Sequence, residues 1–313
     1  MKPFTFYEAI NSNKRKTWIT IFGISLLLFF VCYAIAYYFE LGEFAVIFAF
    51  ILVLGMDYYT YYNSDKIIIS TSGAREPTKE EYPYLINVVE GLSIAGGIPT
   101  PKILVVDDPS PNAFTTGRDP QNSVIVVTTG LLKKLNRLEL EGVIAHELSH
   151  IRSYDIKLQT IAAVMVGLIV ILADALKRSF YTSGRGKKKN DENGNILGII
   201  SLIAALLAPL LATLLRFVIS RQREYMADAG AAMLTRYPEG LASALEKIAK
   251  DPLPVKRANS MIAPLYIVNP IDKSWSENLF STHPPVEERI RRLRMMGERW
   301  RLVEKEEKES GSF

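Results

Sequence analysis

Leu140 to Ile151 read LEGVIAHELSHI, and this stretch decides how the rest of the chain is read. A helix turns about 100° per residue, so His146 and His150, four apart, leave one face with their imidazoles close enough to share a zinc ion. Glu147 stands beside them, where a carboxylate can take a proton from a water and later hand it to a leaving amine. The arrangement implied is that of a zinc peptidase. The chain has only three histidines, and two of them fall in this frame, which argues against rings placed merely to satisfy buried hydrogen bonds. Asn136 followed by Glu139 predicts a capping box that starts the helix, and Ile144, Leu148 and Ile151 add apolar contact at helical spacing.

Outward from that helix, the chain is too apolar for an ordinary soluble enzyme: 49% of its 313 residues are hydrophobic and 22% charged. The excess is gathered in runs. Trp18 to Phe39 carries no charge and would span about 33 Å as a helix, enough for a bilayer core, with Lys14, Arg15 and Lys16 before it. Phe44 to Tyr62 is the second run, with Asp57 placed near the interface by the Tyr58, Tyr59, Tyr61 and Tyr62 cluster. Ile156 to Leu176 is the third, and Ile196 to Leu215, broken by Pro209, the fourth. Between the second and third runs the pattern changes. Ile67-Ile68-Ile69 predicts a short strand, and Glu80 to Leu92 a helix stopped at Gly96 and Gly97. Lys102 to Val106 and Ser123 to Val127 predict two strands of a small sheet, separated by a loop from Asp107 to Asn122. An exposed edge of such a sheet is where an extended peptide can dock through backbone hydrogen bonds.

The fold class expected is α+β: a mostly helical, zincin-like integral membrane protein with a small β-sheet and about four transmembrane or membrane-embedded helices. Its parts are a transmembrane hairpin (1–65), a catalytic part with the sheet and the HExxH helix (66–155), a second membrane hairpin (156–219) and a C-terminal catalytic part (220–313). An even number of crossings returns the chain to one side, so both catalytic parts can build one site. The basic residues flanking the first hairpin put that side in the cytoplasm. The basic loop from Lys177 to Asn193 opposes a full crossing by the third and fourth runs, and leaves a crossing hairpin and a re-entrant one both open. Cys32 stands alone, which excludes an intrachain disulfide and suggests no cysteine metal site or thiol nucleophile. The net charge of +4 comes from membrane-proximal and loop residues rather than a groove, so no nucleic-acid partner is expected.

Two histidines leave zinc one protein ligand short of a catalytic set. No third histidine follows at metzincin spacing, so a carboxylate on a later helix is expected, and Glu224 in Ser220 to Met233 would supply it. Asp228 shares its face one turn on and would accept the ring N–H of a ligating histidine. His283 is held in extended backbone by Pro284 and Pro285; it either donates to the oxyanion of the tetrahedral intermediate or lies on the surface. Asn112 hydrogen-bonds either substrate backbone or its own turn.

HELSH at His146, NAFTTG at Asn112, TTGLL at Thr128, REYMAD at Arg223 and STHPP at Ser281, taken in order with the paired apolar runs, closely resemble the HtpX-type membrane zinc proteases of the M48 peptidase family. The resemblance runs from about Trp18 to Leu293. It implies one zinc ion on His146, His150 and Glu224, Glu147 as general base, and roles near substrate for Asn112 and His283. It also implies a multi-pass protein of the cell membrane, with a cytoplasmic site acting on misfolded or damaged membrane proteins. The long basic loop departs from the commonest pattern of the family. The alternatives from other classes are a CAAX-prenyl-type protease, which has more spanning helices than the four runs found, and a non-catalytic membrane scaffold stabilised by zinc.

Overall fold

A computed structural model describes residues 6–38, 42–165, 167, 221–251, 253, 255–256, 262–268 and 284–309. The third apolar run beyond residue 167, the whole fourth run, the basic loop and His283 lie outside the described residues.

Helices α1 (Phe6–Tyr38) and α2 (Phe44–Ser72) pair through Ile24, Leu28 and Cys32 of one against Ala49 and Val53 of the other. Ile161 and Met165, from helical residues 155–165, close the same cluster. Outward, the pair exposes Phe22, Phe30, Phe44, Ile47, Phe50 and Ile51, and α2 is long and apolar enough to cross a membrane.

Ile67 to Ile69, expected as a strand, is helical and belongs to the last turns of α2. Three β-branched residues favour a strand locally, but the continuing helix buries Ile68 completely against Leu104, Phe114, Val124 and Val126, and that packing outweighs propensity. The helix stops at Gly73, whose φ of 69° lets its N–H return to the Ile69 carbonyl.

The two expected strands pair with each other: β1 (Lys102–Val106) lies parallel to β3 (Ser123–Thr128), from Lys102 beside Val124 to Val106 beside Thr128. A strand that the sequence reading placed inside the loop, β2 (Ala113–Gly117), runs antiparallel to β3 on its other side, giving the order β1-β3-β2. Alternation sorts the sheet's two faces. Val105, Ile125 and Val127 join the main core beneath the histidine helix, while Leu104, Val106, Val124 and Val126 face α2 and residues 155–165.

Besides helical residues 155–165, the α-helices among the described residues are α3 (Pro83–Gly96), α4 (Thr129–Lys134), α5 (Arg137–Arg152), α6 (Arg221–Thr235), α7 (Pro238–Ala249) and α8 (Val286–Glu309). Helix α3 starts three residues later than expected because Pro83 is preset for a first turn, and it ends at Gly97 with φ 64°. Helix α5 is central, with Val143, Ile144, Ala145 and Ile151 buried among residues of α3, α6, α7 and the sheet.

Candidate active site

The histidine helix α5 is fixed at both the start and the middle. Asn136 accepts the Glu139 amide at 3.0 Å and the Glu139 carboxylate accepts the Asn136 amide at 2.8 Å, the reciprocal cap expected from sequence. Glu139 also accepts Lys247 of α7 at 2.8 Å. At Gly142 an added Cβ would meet the Leu241 backbone nitrogen at 2.5 Å, so α5 and α7 touch backbone to backbone. Helix α6 crosses α5 at Gly230, where a Cβ would meet Ser149 Oγ at 2.6 Å, and buried Ala227 and Ala231 keep that crossing narrow.

That crossing brings the first two turns of α6 onto the histidines. His146 Nε2 and His150 Nε2 face each other at 3.2 Å. Glu224 Oε1 lies 3.6 Å from His150 Nε2, and Oε2 3.8 Å from His146 Nε2. All three side chains are buried, and one ligand atom from each falls within 4.8 Å of the others. Glu147 lines the same cavity. Burial pushes its carboxyl above the usual carboxylate range, against the pull of both histidines and a hydrogen bond from Thr115 on β2.

Carboxylates behind the rings set the tautomers. Asp228 Oδ1 stands 3.0 Å from His146 Nδ1, and Asp155 Oδ2 3.3 Å from His150 Nδ1. With Nδ1–H turned to a carboxylate, each Nε2 is left to take a proton or a metal. Burial lowers the affinity of His150 for a proton, yet Asp155, Glu224 and Glu147 together raise its pKa to about 9. The surroundings therefore favour positive charge between the rings, which a cation supplies as well as a proton does. Two further charges join the cluster among the described residues. Arg289, wholly buried, reaches Asp228 at 2.7 Å and Glu224 at 3.4 Å, and Arg223 stands 3.7 Å from Asp155. Burial would raise Asp228, but Arg289 and His146 hold it below the usual carboxylate range.

This donor set fits zinc. Two ligands about 2.0–2.1 Å from a tetrahedral zinc stand about 3.3 Å apart, close to the separation of the two Nε2 atoms. Among the described residues, four carboxyl groups (Glu147, Asp155, Glu224 and Asp228) face two guanidiniums, so these groups when ionised leave as many as two negative charges for a cation to offset. Arg289 Nη2 lies 3.4 Å from His146 Nδ1 and 3.3 Å from Nε2. Being nearly equidistant, it is not aimed along the lone pair of either nitrogen.

Of the residues singled out from sequence, the structure brings together His146, Glu147, His150, Glu224 and Asp228. Asn112 immediately precedes β2, where its amide donates to the Val268 carbonyl at 2.8 Å and its Oδ1 accepts from the following Ala113 amide at 3.1 Å. Sequence reasoning missed Arg289, Asp155 and Thr115. A signal existed for the first: Arg289 lies three residues after Val286 and four before Leu293, a charge on the apolar stripe of α8.

Residues 79–296 match the model of peptidase family M48. A protein named "Protease HtpX homolog" from Dictyoglomus turgidum is 72% identical over 306 residues, covering 98% of this chain and 100% of that relative. Another of the same name, from Caldanaerobacter subterraneus subsp. tengcongensis, is 46% identical over 299 residues, covering 95% of this chain and 99% of that one. Among solved structures, the crystal structure of S. mikatae Ste24p aligns with 92% of this chain and 67% of its own, at a TM-score of 0.48 and 21% identity. The family match and the whole-length relatives, falling on a chain whose histidines and Glu224 converge in one buried cavity, establish that it belongs to peptidase family M48 and is a metalloprotease.

Proposed function

We propose that the chain is a zinc-dependent endopeptidase of the cell membrane that cuts misfolded or damaged membrane proteins at a cytoplasmic site. The observation that carries the chemistry is the pair of Nε2 atoms 3.2 Å apart, each freed for a metal by a carboxylate on its Nδ1, with Glu224 beside both. His146, His150 and Glu224 would hold the ion, which when bound supplies Lewis acidity toward a carbonyl oxygen and a water. Glu147 takes the proton of the attacking water and passes it to the leaving amine, a task its raised proton affinity suits. Asp228 and Asp155 keep the rings turned toward the ion. His283, three residues before Val286 in the sequence, is the residue assigned to donate to the oxyanion, on the strength of the STHPP resemblance.

The membrane part of the reading rests on α1 and α2, whose exposed phenylalanines and isoleucines need a lipid cover. Exposed Trp18, Tyr58, Tyr59 and Tyr62 supply interfacial rings, and the basic residues around the hairpin face the cytoplasm. The test of the chemistry is Glu147→Gln, which keeps shape and removes the proton acceptor. Casein cleavage by the purified variant should fall at least ~100-fold while zinc stays bound; equal rates would overturn the mechanism.

A further inference from the structure

A peptide cannot reach Glu147 in this arrangement. Glu147 is buried, and the cavity that holds it is about 10 Å³, room for one ion or water, lined by Pro264, Leu265, Tyr266 and Ile267 together with the site residues and Gln159. Leu265 is 7% exposed, and Tyr266 and Ile267 are more buried still.

The closing segment is not laid over the site at random. Strand β2 is an edge of the sheet, and the Ile267 amide donates to its Ala113 carbonyl at 2.9 Å. One residue on, the Asn112 side chain donates to the Val268 carbonyl at 2.8 Å, while its Oδ1 lies 3.5 Å from the Val268 amide. A side-chain amide thus reads both backbone groups of residue 268, as a neighbouring strand would. Because 267 meets 113 and 268 meets 112, the segment runs antiparallel to β2. Tyr266 has extended dihedrals, φ −65° and ψ 144°. Its ring packs edge-on against Phe114 with centroids 4.9 Å apart, in an apolar pocket shared with Val106 and Ala163. Arg289 holds the Ile267 carbonyl at 3.1 Å.

We infer that residues 266–268 occupy the chain's own substrate-binding edge, and that the pocket filled by Tyr266 is the subsite for a bulky aromatic side chain of the substrate beside the scissile bond. This rests on the peptidase reading and deepens it. A substrate strand displaces the segment, takes its bonds to the Ala113 carbonyl and Asn112, and places an aromatic ring on Phe114. Burial of such a ring adds binding energy that a small side chain at the same place lacks.

The test uses the full-length, zinc-loaded protein in detergent, with Cys32→Ser and a cysteine pair, Ala113→Cys and Ile267→Cys. Zinc release to a colorimetric chelator is followed in the oxidised and reduced forms, beside cleavage of two quenched peptides that differ only by Tyr or Ala at the expected position. The oxidised form should release zinc at least about tenfold more slowly and cut neither peptide; reduction should restore both, with the Tyr peptide cut faster. An oxidised form that cuts as fast as the reduced one overturns the inference and leaves the peptidase reading standing. Zinc release gated by the cross-link with no cleavage in either form upholds the closing segment and sinks the peptidase reading. If the pair fails to fold, Tyr266→Ala serves instead. It should release zinc faster and gain most on the Tyr peptide, and an unchanged release rate with an unchanged Tyr-to-Ala ratio overturns the inference.

Discussion

Asp228 and Asp155 each take the Nδ1 of one histidine, and that choice of tautomer makes a metal site of two buried rings that would otherwise share a proton. Replacing Asp228 by Ala frees His146 to turn and strips Arg289 of its 2.7 Å partner. Zinc affinity, measured by chelator competition, should fall about 10-fold to 100-fold with Glu147 untouched; an affinity equal to wild type would show that the carboxylate orients nothing. Glu224 and Asp228 were readable in advance because they stand one helical turn apart in a chain with no third histidine at metzincin spacing. Asp155 was not, since it follows a turn after α5 whose direction no local pattern fixes. Arg289 reaches the cluster from 61 residues away in sequence from Asp228, so only its position on an apolar stripe hinted at burial.

At the scale of elements, the site depends on how closely α5 and α6 approach. Gly230 lies against Ser149, and a methyl group there would come within 2.6 Å of Ser149 Oγ and 3.0 Å of its Cβ. Gly230→Ala should push the helices apart, costing about 1–3 kcal/mol of stability and lowering zinc affinity. Ser149→Ala in the same chain should recover part of both, because it removes the nearer atom and leaves the farther. Thermal midpoints and chelator titration of the single and double variants check this, and a double variant no better than the single would contradict the crossing as the cause. The helix start at Asn136 and strands β1 and β3 were legible because capping and alternation are local. Strand β2 was hidden in a stretch rich in turn residues, and only pairing with β3 makes Ala113 to Gly117 a strand. Ile67 to Ile69 misled in the opposite sense, since burial of Ile68 against the sheet decided its state.

For the whole molecule, α2 passes from an exposed apolar half into the core of the catalytic body without a break, so the apolar span and the site are joined by one helix. The basic residues around the hairpin predict that the catalytic body faces the cytoplasm. A single cysteine at exposed Lys79, in a Cys32→Ser chain, should resist a membrane-impermeant thiol reagent on intact cells and react after permeabilisation; labelling of intact cells would place the site outside. The central claim is that α5 and α6, separated in sequence by the third and fourth apolar runs, assemble one zinc site from His146, His150 and Glu224. Zinc per chain after dialysis against a weak chelator tests it directly, with Glu147→Gln, His150→Ala and Glu224→Ala beside wild type. Wild type and Glu147→Gln should hold about one zinc each, and His150→Ala and Glu224→Ala should lose it together with casein cleavage. A Glu224→Ala protein that keeps its zinc and cuts casein normally, while His150→Ala loses both, would contradict the account.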